Sequence, residues 1–392
     1  MSQLLKIFHQ TSYQIIGKVV SVISTFVILG IIARNYGPSG TGIFTLTLTY
    51  LGIFYLLSDF GFNAHVLRKG SIEWQKLLGT RIIWSVVLVF IAVGLLPFWP
   101  FATEEFSRSV LIGSLAIIGS AIFVTANLLF QSKLRYDLSV LSSSIGTIIS
   151  LFIFILLASL HYPISFLLIP HLLSWLVIAV VALFLVKKLL PKITPTFDKQ
   201  YTKKLFLESW PIAATLGLNV VYFRADAFLI ALFQGIADAG IYNVAYSVFQ
   251  SALVLPTFIM NAYYPMMLKS SKGLKLVALG LFLLATLGTM LTLILSPFII
   301  ELLTGGGFAG AFQSLQILSL GFPAYFLSSL LMWMLVSRGR YKRLLLIYSF
   351  GLGVNLVLNF IFIPQYSIYG ASAITVVSEY LILALLLVSL RK

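Results

Sequence analysis

The sequence predicts an all-α polytopic membrane protein: twelve transmembrane helices in two parallel-repeat halves of six. Three observations lead there. Of 392 residues, 60% are hydrophobic and 9% charged, and the mean hydropathy is +1.04, far more apolar than a soluble core requires. The apolar runs each approach the roughly 20 residues that cross a bilayer, and short polar links separate them. The basic residues fall in alternate links, as they do when a chain weaves through a membrane.

The first run, Tyr13 to Ala33, is long enough to span and has no small-residue cleavage site, so it reads as a span and not as a cleavable signal. Five more follow at roughly 41–64, 79–100, 108–130, 138–160 and 164–186. The second six lie at roughly 205–233, 239–265, 274–300, 313–336, 343–363 and 368–390. The seventh carries a Trp210-Pro211 step, which weakens a helix near its start. No link is long enough for a soluble domain.

Charge placement orients the chain. With the N-terminus inside, the inner links hold nearly all of the 26 Lys and Arg residues. They are Lys6, then Arg68, Lys69, Lys76 and Arg81, then Lys133 and Arg135, then the cluster from Lys187 to Lys204. Lys269, Lys272 and Lys275, the group from Arg338 to Arg343, and Arg391 with Lys392 complete the set. The outer links keep Arg34 and Arg108, beside Glu104, Glu105, Asp238 and Glu301. This places both termini in the cytoplasm. The net charge of +15 therefore reads as topology and contact with membrane lipid headgroups, not as nucleic-acid binding.

Several chemistries are excluded. Without cysteine there is no disulfide, thiol catalysis or Cys-based metal site. His9, His65, His161 and His171 have no metal-ligand spacing. No nucleotide-binding glycine loop occurs, and Gly305-Gly306-Gly307 reads as an outer turn.

The basic link from Lys187 to Lys204, with Pro191 and Pro195, divides the chain into an N-terminal lobe at 1–195 and a C-terminal lobe at 196–392. The halves echo each other. Gly37, Gly42, Ile43 and Phe44 match Gly235, Gly240, Ile241 and Tyr242. Arg135-Tyr136 matches Arg340-Tyr341, and Tyr162, Ile164 and Ser174 match Tyr366, Ile368 and Ser378. Six spans is an even number, so such repeats run parallel, and that geometry puts a substrate path between the halves.

Three stretches carry a resemblance. They are ARNYGPSGTGIF…LLSDFGF from Ala33 to Phe62, SWPIAATL…FRADAFLIALF…AGIYNVAYS from Ser209 to Ser247, and GRYKRLLLIY…NLVLNFIFIP…YGASAITVVSE from Gly339 to Glu379. In this order they resemble the polysaccharide flippases of the multidrug/oligosaccharidyl-lipid/polysaccharide exporter superfamily. The resemblance implies two six-helix lobes around a central cavity, and alternating access across the plasma (inner) membrane; no enzymatic activity is expected. It further implies export of a polyprenyl-diphosphate-linked oligosaccharide, of O-antigen type, for cell-surface polysaccharide biosynthesis. Partners implied are the lipid-linked oligosaccharide and the polysaccharide polymerase machinery. The related peptidoglycan-precursor flippases usually carry two further spans, absent here.

Charges inside apolar runs are the candidate site. Arg224 and Asp226 lie two residues apart, about 200° around a helix, so they point to opposite faces and cannot pair locally. Arg224 either snorkels to outer headgroups or forks onto a diphosphate in a cavity. Asp226 reads as a structural acceptor, and Asn219 on the same run joins the cavity set. Lys18 either snorkels inward or is the first cation an entering diphosphate meets. Glu379, at mid-span, is either a protonated interhelical contact or a site coupling transport to H+ or Na+. Beyond that no cofactor is expected. Asp59 and Glu208 read as interface groups bridged to loop lysines. Asn355 and Asn359 share a helix face, which suits packing or sugar hydroxyls. Trp210, Tyr222, Tyr242, Tyr246, Tyr263 and Tyr264 could stack on sugars or belong to the aromatic belt.

Two rival functions remain. A cation-coupled drug exporter of the same fold predicts carboxylates in the first-half cavity, for which this half offers only Asp59, near an interface. A membrane oligosaccharide polymerase would want a large loop or paired catalytic carboxylates, for which Glu104-Glu105 is a poor candidate.

Overall fold

The computed structural model describes residues 3–269 and 273–391, without the side chains at 3–12, 14, 16, 219–221, 261, 262, 265, 269 and 391. Lys6, His9, Lys269, Lys272, Arg391 and Lys392 therefore lie outside the described side chains, as does that of Asn219.

Among the described residues the secondary structure is helical throughout. The chain runs through α1 (Gln3–Asp59), α2 (Phe62–Lys69), α3 (Trp74–Gly94), α4 (Glu104–Ser114), α5 (Ala116–Ser132), α6 (Tyr136–Ser159) and α7 (Leu168–Lys187). It continues with α8 (Lys199–Phe233), α9 (Ile236–Ala252), α10 (Val254–Lys269), α11 (Leu274–Thr304), α12 (Ala311–Ser319), α13 (Phe322–Ser337) and α14 (Tyr341–Arg391). Eight helices are long and apolar enough to cross a membrane, or ten if two bent pairs each count as one span. The pairs are Lys199–Leu218 with Tyr222–Phe233, and Ala311–Ser319 with Phe322–Ser337.

Two of the eight runs are far longer than a bilayer needs, at 53 and 50 residues, where about 20 suffice. Besides Phe60 and Gly61, at positive φ between α1 and α2, the residues outside helical geometry are Gly37 (φ 63°, ψ −167°) in α1 and Ser367 (φ 49°, ψ −133°) in α14. Pro38 follows the first and Pro364 precedes the second, and both lack the amide that a continuous ladder would need there.

The chain forms two compact units. One comprises residues up to Tyr36 with Ile43–Asn219, and the other Gly37–Gly42 with Val220–Lys392. In the first unit α5 and α6 pack on α7, and α3 packs on α5. Trp74, Leu78, Ala126, Phe130, Ala182 and Val186 form one apolar core there. In the second, α13 packs on α14 and on α11, and α12 packs on α9. Leu335, Ile347, Ile382 and Leu386 are buried together in it.

The basic link ahead of α8 is docked within the first unit. Thr196 donates its amide to the Gln75 carbonyl at 3.0 Å, and Gly79 has no side chain because a Cβ there would collide with the Thr196 carbonyl. Asp198 accepts from the amides of Gln200 and Tyr201, both at 3.0 Å, and so caps α8. Lys76 reaches Asp198 at 3.0 Å and Glu73 at 2.8 Å. The Tyr201 amide, and then Lys76, hold the Asp198 carboxyl below the usual range.

Candidate functional site

In the second unit Arg224 and Asp226 both meet one stripe of α9. Tyr242, Tyr246 and Gln250 recur every four residues and so share a face of that helix. The Asp226 carboxylate accepts a hydrogen bond from the Tyr242 hydroxyl. Arg224 donates to Gln250 Oε1 at 3.0 Å, and its guanidinium carbon lies 5.6 Å from the centre of the Tyr246 ring. The two side chains do not pair, as the helical angle requires. Both nevertheless engage α9, because the long arginine runs along it while the short aspartate meets it directly. Asp226 is buried and Arg224 half-buried.

Glu379, 4% exposed, accepts from the Tyr222 hydroxyl at 3.0 Å, which ties α14 to α8. Tyr246 lies within electrostatic reach of Asp226, Arg224 and Glu379 together. On α14, Asn359 donates to Asn355 at 2.9 Å and Asn355 to Ser378 Oγ at 3.0 Å. These amides close a packing contact across the Ser367 break. Tyr242 is fully buried, and Tyr246 and Tyr263 are nearly so, which leaves no open ring face for a sugar. Trp210 is exposed. Lys18 belongs to the first unit and is exposed.

The first unit holds a charge pair that the sequence reading misplaced. Arg81, counted among the inner-link bases, is fully buried in α3. It donates to Asp59 Oδ1 at 2.6 Å, Asn63 Oδ1 at 2.8 Å and Thr125 Oγ1 at 3.2 Å, and lies 5.5 Å from the centre of the Phe62 ring. Asp59 thus pairs with a buried arginine and not with a loop lysine. Glu208 does take a loop lysine, Lys69, together with His65 at 3.0 Å. In sequence Arg81 is visible only as a lone arginine at the start of an apolar run, because Asp59 and Asn63 lie 22 and 18 residues away on other helices. His171 is held by the Tyr55 hydroxyl at 2.7 Å. Among the described residues no three His, Cys, Asp or Glu side chains form a group that could hold a metal.

Residues 7–271 match the model of a family described as polysaccharide biosynthesis protein, more than half of the chain. The chain belongs to the polysaccharide biosynthesis protein family. A relative from Shigella dysenteriae, named "Putative O-antigen transporter", is 23% identical over 349 residues, which is 86% of this chain and 88% of the relative. Among solved structures, the lipid II flippase MurJ in an inward closed conformation superposes with a TM-score of 0.79 at 14% identity, covering 96% of this chain and 87% of that one. An inward-facing multidrug resistance MATE family transporter of the MOP superfamily gives 0.68 at 14% identity, with 94% of each chain covered. At such identities the likeness is one of fold. This member of the polysaccharide biosynthesis protein family is thus an all-helical, multi-pass membrane protein with the fold of the MOP superfamily.

Proposed function

We propose that the protein is a flippase that moves a polyprenyl-diphosphate-linked oligosaccharide from the inner to the outer leaflet of the plasma membrane, for cell-surface polysaccharide biosynthesis. The observation that carries this reading is Arg224, a guanidinium inside an apolar helix of a polysaccharide biosynthesis family member, steered by Gln250 and Tyr246. A forked cation of this kind suits phosphate oxygens. Lys18 and Asn219 join it as contacts along the path, with Asp226 as the acceptor that fixes α8 against α9.

The chain crosses the membrane twelve times in this reading. Dividing the two overlong runs at Gly37 and Ser367 and counting both bent pairs gives that number. The lobes at 1–195 and 196–392 alternate access to a central cavity, with both termini cytoplasmic, and the product passes to the polymerase machinery. Moving a lipid breaks no bond, so no enzyme activity is assigned.

A second reading is a cation-coupled exporter of the same fold. Glu379, buried and held by Tyr222, favours it as a site for H+ or Na+. Mass spectrometry of lipids retained by the purified protein separates the two. A polyprenyl-diphosphate glycan is expected, and its absence, with drug export dependent on an ion gradient, would replace the flippase reading.

A further inference from the structure

The first two turns of α8 carry a feature that topology alone does not explain. Gln200, Lys203, Lys204, Leu207 and Glu208 recur at helical neighbour spacing and line a shallow concavity of about 430 Å³. Nearby acids are already engaged. Glu208 is taken by Lys69 and His65, and Glu73 and Asp198 by Lys76. Among the described residues no carboxylate comes within 4.0 Å of the Lys203 or Lys204 ammonium, and Lys204 has only a longer-range attraction to Glu208. Two exposed cations and a side-chain amide therefore face an open concavity with one apolar wall, Leu207, which is 62% exposed.

We infer that Gln200, Lys203 and Lys204 form a docking face for the diphosphate of the lipid-linked substrate, engaged on the cytoplasmic side before translocation. The inference rests on the flippase reading and names residues that it does not use. Charge complementarity selects the occupant. An ammonium acts on phosphate as a point charge, so two adjacent lysines match the two charges of a diphosphate better than the single charge of a phospholipid. Leu207 is the apolar lining residue available to the isoprenoid carbons beside the diphosphate. The Lys69 and His65 contacts have a purpose here too, since they offset the Glu208 charge at the rim, which would otherwise repel the ligand. Lys188, by contrast, lies 4.6 Å over the Phe184 ring, outside this concavity.

The test uses the full chain in nanodiscs of phosphatidylcholine, titrated calorimetrically with geranyl diphosphate. Wild type should bind, and the double variant Lys203→Gln/Lys204→Gln should bind about tenfold or more weakly. The control Lys187→Gln/Lys188→Gln removes the same charge and should stay within about twofold. Equal loss in both doubles, no loss in the first, or no binding by wild type overturns the proposal. A second arm adds phosphatidylglycerol. Binding that persists supports a diphosphate site. Binding that vanishes, with phosphatidylglycerol retained only when Lys203 and Lys204 are intact, makes the face a membrane contact and overturns it. In reconstituted flipping, Lys203→Gln/Lys204→Gln should raise the substrate concentration for half-maximal rate. An unchanged value in an active variant also overturns the proposal. A wild type that binds geranyl diphosphate here but flips nothing sinks the flippase reading instead.

Discussion

Gly42 and Gly240, equivalent positions of the repeated motif, lie backbone against backbone inside the second unit. A Cβ on Gly240 would fall 2.6 Å from the Gly42 amide nitrogen, 3.0 Å from its Cα, and closer still to the Pro38 carbonyl. A Cβ on Gly42 would strike the Ile236 carbonyl. Each copy of the motif therefore supplies the glycine that the other packs against.

Gly240→Val should be strongly destabilising, because the obstructing atoms are backbone and cannot rotate away. Overpacking typically costs about 1–3 kcal/mol, and more where nothing yields. Thermal unfolding in detergent should show a lower Tm than wild type. Gly280→Ala, where a Cβ meets nothing within 4 Å, should leave Tm unchanged or raise it slightly. Equal Tm for Gly240→Val and wild type contradicts the close approach.

The Arg81–Asp59 pair gives a second prediction. Asp59→Asn leaves a fully buried guanidinium without its counter-charge, a change worth about 3–5 kcal/mol. Arg81→Met/Asp59→Asn should recover much of that loss, because no charge then remains to be compensated. A double variant no more stable than Asp59→Asn alone argues that the cluster serves through its shape and not its charge.

At the candidate site, Arg224→Ala should insert normally but lose most transport, and Arg224→Lys should keep part of it, since charge survives without the fork. Tyr242→Phe removes the donor to buried Asp226 and should cost about 1–3 kcal/mol of stability. If Arg224→Ala transports at the wild-type rate and level, the arginine is a headgroup anchor.

Orientation is testable with single cysteines, as the chain has none of its own. Thr103→Cys should react with an impermeant thiol reagent in intact cells, and Thr194→Cys only after permeabilisation. The opposite pattern reverses the topology.

The membrane potential should assist export. A diphosphate diester carries about two negative charges, and each gains about 2.3 kcal/mol per 100 mV when driven outward. Flipping in proteoliposomes should accelerate under an imposed potassium-diffusion potential at equal pH without sodium. A rate indifferent to potential but following a proton or sodium gradient, and losing that dependence in Glu379→Gln, favours an antiporter.

Local backbone rules were the most legible part of the chain. Gly37 and Gly235, paired by sequence, share one backbone conformation, with φ of 63° and 98° and ψ of −167° and 170°. Arg135-Tyr136 and Arg340-Tyr341 follow the same helix stop. Leu134 and Gly339 both have positive φ, and Arg135 and Arg340 each donate to the carbonyl five residues back, those of Phe130 and Leu335. Such signals are local and survive in a single sequence. The partners of charged groups were not legible, because they are set by tertiary packing. Asp226 finds Tyr242 sixteen residues on, and Arg81 finds Thr125 forty-four residues on. Composition places these charges in apolar surroundings but cannot say which helix faces them.

The docked link has a consequence for anyone recombining this chain with a relative. A crossover placed among its lysines and prolines looks harmless in sequence, yet it would exchange Thr196 and Asp198 while keeping Gln75, Lys76 and Gly79. The strap would then come from one parent and the surface it is sewn to from the other. Chimeras joined there should express poorly unless the α3 start travels with the strap. Joints that keep Trp74–Thr80 and Thr196–Tyr201 from a single parent should assemble.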